Sequence, residues 1–351
     1  MSGPASICLL RLSALGDVCN CIPVARALRR RFPDARLVWI VDRAAHRLVA
    51  ELPVVEFAVF DKRGGLAEFA RLRRRLRGRF DVLLHMQVSA RANAVAALVR
   101  ADRRIGFDRA RSREGHGLVV GERIPARPLQ HQAEAFGEFA RVLGAEPREA
   151  DRRPPVADAD RAFAREHQPV AGRAVLISPC SSHARRNWRA DRYAAVADWV
   201  RRDAGRPVIL VGGPTAAERG TAAAIEAAAS EPLVNLVGRD TLGQSLAMLE
   251  RAACLVAPDS GPVHFAAALG TPVVGLYAST WSRRSGPLGS LEHCVDCFPE
   301  AARRFLGSDP EDVKWGKRIE ADGVMDLVEV GEVVSRLRSL LAAGCDDGRQ
   351  V

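Results

Sequence analysis

Ser6-Ile-Cys-Leu-Leu-Arg-Leu-Ser-Ala-Leu-Gly-Asp-Val18 runs from an apolar stretch through a tight turn into a helical pattern. Ser6–Leu12 reads as a buried strand, Ala14–Gly16 as the turn, and about Asp17 to Arg31 as a helix with Val18, Ile22, Ala25 and Leu28 near helical spacing. Arg36-Leu-Val-Trp-Ile-Val41 follows as a second strand. Phe57–Phe60, Phe80–Met86 and Arg104–Phe107 continue the strands. Helical patterns lie near Leu66–Leu76, Arg91–Val99 and Gln132–Leu143. Strand–helix alternation of this kind predicts an α/β domain with a parallel sheet and helices on both faces. The polar, proline-bearing segment between Glu146 and Gly172 is the expected domain boundary. A second alternation follows, with strands at Ala174–Ser178, Pro207–Val211, Leu233–Val237, Cys254–Ala257 and Pro272–Tyr277. Its helices are expected near Arg189–Arg202, Ala216–Ala229, Ser245–Arg251 and Val263–Leu269, with a final helix at about Leu327–Ala343. Two doubly wound halves are therefore expected.

The 351 residues carry 52 Lys+Arg against 42 Asp+Glu, a formal charge of +10. Hydrophobic residues make up 48% and charged residues 27%, which excludes intrinsic disorder and collagen-like architectures. The excess is uneven: residues 1–150 hold 27 Lys+Arg and 16 Asp+Glu, a net of +11, leaving −1 for the rest. Such asymmetry points to an anionic partner for the first half, whether nucleic acid, a membrane surface or a phosphorylated acceptor. Only Lys62, Lys314 and Lys317 are lysines, so arginine supplies the charge. With 12 Phe, 5 Trp and 2 Tyr, aromatic platforms for nucleic acid are scarce, and no nucleic-acid partner is expected. No run reaches the ~18 apolar residues of a membrane span. The N-terminal stretch meets Arg11 too early to read as a signal peptide. The eight cysteines (8, 19, 21, 180, 254, 294, 297 and 345) read as reduced thiols of a cytosolic protein.

Three strand-to-helix junctions carry candidate chemistry, since ligands of a doubly wound sheet gather at the carboxyl ends of its strands. In the first, Gly16 permits close approach, and Asp17 reads either as a helix cap or as a general base. The loop does not match G-x-G-x-x-G, so a dinucleotide fingerprint is missing. In Ser178-Pro-Cys-Ser-Ser-His-Ala-Arg-Arg-Asn-Trp188, the hydroxyls of Ser181 and Ser182, the charge of Arg185 and Arg186, and a helix start make either a phosphate cradle or a solvated capping loop. In Ala257-Pro-Asp-Ser-Gly-Pro-Val-His264, Ser260 and Gly261 offer backbone N–H groups suited to a diphosphate behind Asp259. His264 reads as structural or as a further anion contact. Glu218, after Gly212-Gly213-Pro214, reads as a ribose acceptor or as a favourable first-turn acid. Cys294-Val-Asp-Cys297 lacks the further ligands a zinc site needs, so no metal is expected. Ala70–Arg79 holds six arginines in ten residues, read as a solvated helix face or as a contact for anionic lipid headgroups or a phosphorylated glycolipid.

These residues resemble glycosyltransferase family 9, the bacterial lipopolysaccharide heptosyltransferases, over roughly residues 5–340. The resemblance rests on R-L-S-A-L-G-D-V from Arg11, S-S-x-x-x-R-N-W from Ser181, the G-G-P turn, and D-S-G-x-x-H-x-A-A-A-L from Asp259. It implies a GT-B architecture, two Rossmann-like domains facing a central cleft: residues 1–160 for the acceptor, 170–330 for the nucleotide sugar, and a C-terminal helix at 327–345. It further implies metal-independent, inverting transfer of heptose from ADP-L-glycero-β-D-manno-heptose to a Kdo or heptose of the inner core, with no cofactor. Asp17 would be the general base. Ser181, Ser182, Arg186, Asp259, Ser260, Gly261 and His264 would hold the nucleotide, diphosphate and sugar, with Glu218 near the adenosine. Arg11, Gly16, Arg63 and Arg91 are the expected acceptor contacts. The partners implied are ADP-heptose, a lipid A–Kdo or heptosylated core glycolipid, and the cytoplasmic face of the inner membrane. Relatives often carry Lys at the position of Arg186 and an apolar residue at that of Pro262, and residues 281–326 match poorly. The alternatives are a family 9 transferase with another nucleotide sugar or acceptor, and a noncatalytic nucleotide-binding protein on the same fold.

Overall fold

A computed structural model describes residues 3–346, with side chains through residue 342. The chain divides into two units, Met1–Pro155 and Val156–Val351. In the first, the order is β1 (Ser6–Leu10), α1 (Leu15–Arg31), β2 (Arg36–Asp42), α2 (Arg43–Val49), β3 (Glu56–Phe60), α3 (Gly65–Arg75), β4 (Phe80–His85), α4 (Ala90–Leu98), β5 (Ala101–Gly106), β6 (Glu122–Arg123) and α5 (Gln132–Arg141). The strands form one parallel sheet in the order β3-β2-β1-β4-β5-β6, with Leu9 opposite Trp39 on one side and Leu84 on the other. Consecutive apolar residues in β1 are buried on both faces, as a helix-covered parallel sheet requires. Trp39 is fully buried, and its indole N–H donates to the Arg11 carbonyl at 3.2 Å, tying the loop after β1 to the core.

The second unit opens with α6 (Asp158–His167) and continues β7 (Val175–Ile177), α7 (Ala190–Arg202), β8 (Val208–Leu210), α8 (Ala216–Ala228), β9 (Val234–Asn235), α9 (Leu242–Arg251), β10 (Cys254–Pro258), α10 (Gly261–Leu269) and β11 (Val273–Tyr277). Then come α11 (Ser282–Ser285), β12 (Val295–Asp296), α12 (Phe298–Ala301) and α13 (Val330–Asp346). Its parallel sheet runs β12-β11-β10-β7-β8-β9. Counted within each unit, both sheets have the order 3-2-1-4-5-6, the doubly wound order. α13 presents Val333, Leu337, Leu340 and Leu341 to the core of this unit, one stripe at helical spacing. Among the described residues no helix is long and apolar enough to cross a membrane.

Several elements differ from their sequence expectation. α2 is added between β2 and β3, started by the Asp42 carboxylate, which accepts from the Ala45 N–H at 2.8 Å. β6, β12, α11 and α12 are too short to leave a periodic signal. The arginine stretch is helical only to Arg75, because the chain then turns through Gly78 at φ 81°. Four of its six arginines are tied down: Arg71 pairs with Glu68, Arg79 with Asp102, and Arg73 and Arg75 donate to the Leu98 and Val59 carbonyls. Cys294 and Cys297 flank β12, and burial pushes both thiols up to about 12. They stay protonated, which suits packing better than metal or redox chemistry. The Cys345 side chain lies outside the described residues.

Beyond β5 the chain makes a long excursion over residues 107–121 before β6. Asn93 in α4 holds it: its amide donates to the Glu114 carbonyl at 2.6 Å, and its Oδ1 lies 2.9 Å from His85 Nε2 and 3.4 Å from His116 Nδ1. The two imidazoles lie 4.5 Å apart, and His116 Nε2 accepts the Phe107 N–H at 3.0 Å. Burial keeps both rings neutral, lowering His85 to about 3 and His116 to about 4. An unfolded histidine titrates near 6.5, so below that pH the unfolded chain binds protons the native chain does not. The unfolding free energy should therefore fall as pH drops from about 6.5 towards 4, by up to about 1.4 kcal/mol per pH unit for each histidine. Chemical denaturation of the protein and of His116→Gln between pH 7.5 and 5 checks this, the variant showing the shallower dependence. Identical slopes would show that His116 is not held neutral.

Candidate active site

Both sheets are wholly parallel, so every strand of a unit ends on one edge. At the step between the first and fourth strands the connections leave to opposite faces and open a crevice. In the first unit this step lies between β1 and β4. The loop after β1 is fixed there by its neighbour: Gln87 Oε1 accepts the Leu12 and Ser13 N–H groups at 2.8 and 3.3 Å. Arg11 is 8% exposed, donates Nη1 to the Met86 carbonyl at 2.7 Å, and lies over the Phe136 ring. Its Nη2 donates to Asp17 Oδ2. Asp17 occupies the first turn of α1, whose N-cap is Ala14 with no side-chain cap. Of the two readings of Asp17, a cap is therefore set aside: the carboxylate is held by Arg11 rather than by the helix backbone. Gly16 is buried beside it. Arg63 and Arg91 are both exposed, in the loop after β3 and in the first turn of α4, and neither pairs with Arg11 or Asp17 among the described residues.

In the second unit the corresponding step lies between β7 and β10, and two of the quoted motifs meet across it. Arg186 Nη1 lies 3.2 Å from both the carbonyl oxygen and Oδ2 of Asp259. Arg186 and Asp259 are 73 residues apart in sequence, and the sheet order alone brings them together. Ser285 Oγ approaches the same carboxylate at 3.5 Å. Two buried polar atoms here have no partner among the described residues: Arg186 Nε and Ser260 Oγ. Buried polar atoms left open at a strand-end crevice are free to bond water or a polar ligand. Ser260 is the N-cap residue of α10, so the Gly261 N–H opens the helix; Pro262, next in the turn, contributes none. His264 follows one turn in and is half-buried. Ser181 closes its loop by donating its N–H to Asn187 Oδ1 at 2.7 Å, while Ser182 is exposed.

Glu218 is occupied by its own helix. Its Oε1 accepts the Gly213 N–H at 2.9 Å, its Oε2 accepts the Thr215 hydroxyl at 2.6 Å, and the Thr215 hydroxyl accepts the Glu218 N–H. The bonds present are those of a capping box. Sequence reasoning missed Gln87, Met86 and Ser285. The first two stand just past the end of β4, where the strand reading could have found them; Ser285 has no local signal. Among the described residues no group of three or more His, Cys, Asp or Glu could hold a metal ion.

Two doubly wound units in one chain, each with polar residues gathered at its switch point, are the architecture of the GT-B class. The profile of glycosyltransferase family 9 (heptosyltransferase) matches residues 69–307. The lipopolysaccharide core heptosyltransferase OpsX of Haemophilus influenzae is 31% identical over 338 residues, covering 96% of this chain and 97% of that one. The chain belongs to glycosyltransferase family 9. A family 9 glycosyl transferase from Veillonella parvula shares its fold with a TM-score of 0.78 at 20% identity, covering 97% of this chain and 98% of that one. The Escherichia coli heptosyltransferase WaaC, solved with ADP, has a TM-score of 0.71 at 17% identity, with 95% and 99% covered.

The capping box makes a separable prediction. Thr215→Ala should lower the unfolding free energy by about 1 kcal/mol. Urea denaturation reads this directly, and an unchanged midpoint would show that Glu218 is not serving the helix.

Proposed function

We propose that the protein transfers heptose from ADP-L-glycero-β-D-manno-heptose to a Kdo or heptose of the lipopolysaccharide inner core, with inversion. The observation that carries the reading is the pairing of motifs at the two switch points, Arg11 with Asp17 and Arg186 with Asp259. The 31% identity to a lipopolysaccharide core heptosyltransferase along nearly the whole chain supports it, as does the ADP bound to WaaC, which shares the fold. In this reading the acceptor lies at the first unit. Arg11 holds one oxygen of Asp17, and the carboxylate takes the proton of the acceptor hydroxyl as that oxygen attacks the anomeric carbon. The bond from that carbon to the ADP β-phosphate oxygen breaks, and its electron pair leaves with ADP.

The negative charge developing on ADP meets the Arg186 guanidinium, the N–H of Gly261 and the open Ser260 hydroxyl. Ser181, Ser182, Asp259 and His264 complete the donor site, with Glu218 near the adenosine; Gly16, Arg63 and Arg91 serve the acceptor. A fixed cation at the leaving group is the role a metal fills in other transferases, so no metal is expected to be needed. In this reading the acceptor is carried on a lipid, and the enzyme works at the cytoplasmic face of the inner membrane.

Asp17→Asn should lower kcat by at least about a hundredfold, the range for losing a positioned base, with ADP binding intact. Transfer at the normal rate would remove Asp17 from the chemistry. ADP should raise the thermal midpoint, and Arg186→Met should reduce that rise; no shift with ADP in the unaltered protein would count against the donor site. Full activity is expected in EDTA, and a strict requirement for added Mg²⁺ would sink the metal-free reading.

A further inference from the structure

Gln87 joins the end of β4 to the loop that carries both partners of the Arg11–Asp17 pair. The ladder between β1 and β4 runs out at Leu10 and His85, where the Met86 N–H donates to the Leu10 carbonyl at 3.0 Å. Beyond that point a side chain takes the place of the strand backbone: Gln87 Oε1 accepts the Leu12 and Ser13 N–H groups at 2.8 and 3.3 Å. Leu12 is 3% exposed, so without this oxygen its N–H would be buried with no acceptor among the described residues. Gln87 Nε2 is turned the other way, to the Ser89 hydroxyl at 3.3 Å, which in turn accepts the Ala92 N–H at the start of α4. The amide thus presents its oxygen to the loop and its nitrogen to the helix.

The two held amides stand between the ion-pair partners in sequence, with Arg11 before them and Asp17 after. On the near side the Arg11 N–H donates to the Ile40 carbonyl at 3.2 Å, so the backbone on both sides of the Arg11 side chain is fixed. On the far side the Ala14 carbonyl accepts the Val18 N–H at 2.9 Å, so the chain passes from Ser13 straight into the helix that carries Asp17. The residue preceding Gln87 holds the guanidinium itself, through the Met86 carbonyl. The strand end behind them is anchored by His85, whose Nε2 lies 2.9 Å from Asn93 Oδ1. One short segment therefore fixes both the cation and the backbone from which cation and carboxylate project. Among the described residues no bond joins Gln87 to the Asp17 carboxylate, so Gln87 acts on it only through the loop.

We propose that Gln87 is a positioning residue for proton transfer at Asp17, setting the loop so that Arg11 holds one carboxylate oxygen and leaves the other for the acceptor hydroxyl. The proposal rests on the reading of Asp17 as the general base. A base works only within hydrogen-bond reach of the proton it takes, and a displacement of about 1 Å costs on the order of a hundredfold in rate. The residues assigned to the donor belong to the second unit, so a change at Gln87 separates the proton-transfer step from ADP binding.

Kinetics with ADP-heptose and a Kdo acceptor test it in Q87L and Q87E, with D17N alongside. Q87L should lower kcat about tenfold or more, while KM for ADP-heptose and the thermal shift with ADP stay as in the unaltered protein. Q87E keeps an oxygen facing the two N–H groups and should recover most of the rate. Gln87 is half-buried and leucine is of similar size, so Q87L should fold. A glutamine that only stabilised the fold would lower the thermal midpoint of Q87L and leave kcat alone. Normal transfer by D17N would overturn the reading of Asp17 as the base, and this proposal with it. Loss in D17N with full kcat in Q87L, or equal loss in Q87E and Q87L, would overturn the positioning role alone. Amide hydrogen exchange of the whole protein needs no substrate and gives a second measurement. Faster exchange at Leu12 and Ser13 in Q87L, restored in Q87E, is expected; unchanged exchange would overturn the proposal whatever sugar is transferred.

Discussion

A wholly parallel sheet is the constraint from which the rest follows. Each strand must be re-entered from the far end, so all the strand-to-helix junctions of a unit collect on one edge. The order 3-2-1-4-5-6 then leaves one step at which no connection crosses. Residues distant in sequence, such as Arg186 and Asp259, become neighbours there without any local signal. Because both units have the same order, the chain contains two such crevices. The buried apolar strands behind them hold the loops in place, as the Trp39 indole does for the Arg11 carbonyl.

The arginine excess has a structural use that net charge conceals. Arg26 donates to the Asp151 and Arg153 carbonyls, Arg29 to those of Val54, Pro33 and Ala35, and Arg104 to those of Ala96, Val99 and Val119. A guanidinium has five donors, so one side chain can satisfy several carbonyls where strands and helices end. A carbonyl carries no charge, however, so these bonds leave the positive charge uncancelled. The first unit can thus be held together by its arginines and still attract anions.

The fold was legible where burial imposes a period. β1, β2, β10 and the helices around them stand within a few residues of their sequence expectation, since their apolar runs and spacings express two-sided or one-sided burial. The two-residue strands β6 and β12 were not legible, because two residues cannot display a period. The motifs at residues 11–17, 181–188 and 259–264 were legible as strand ends, but their bonds were not: Arg11 to Asp17, and Arg186 to Asp259, are set by side-chain direction and sheet order. Glu218 shows the limit from the other side. A single letter fits a ribose contact and a capping box equally well, and the Thr215 and Gly213 bonds that establish the capping box are not announced by it.

The excursion from residue 107 to 121 has a consequence for recognition. A loop of that length left to itself would sample many conformations, and a ligand would have to select one at a cost of about 1 kcal/mol for each residue it immobilised. Asn93 and its two histidines, with Arg123 bonded to the Phe107 carbonyl and the Ser112 hydroxyl, give the loop a single path before anything binds. That entropy is surrendered during folding, when the core supplies the driving force.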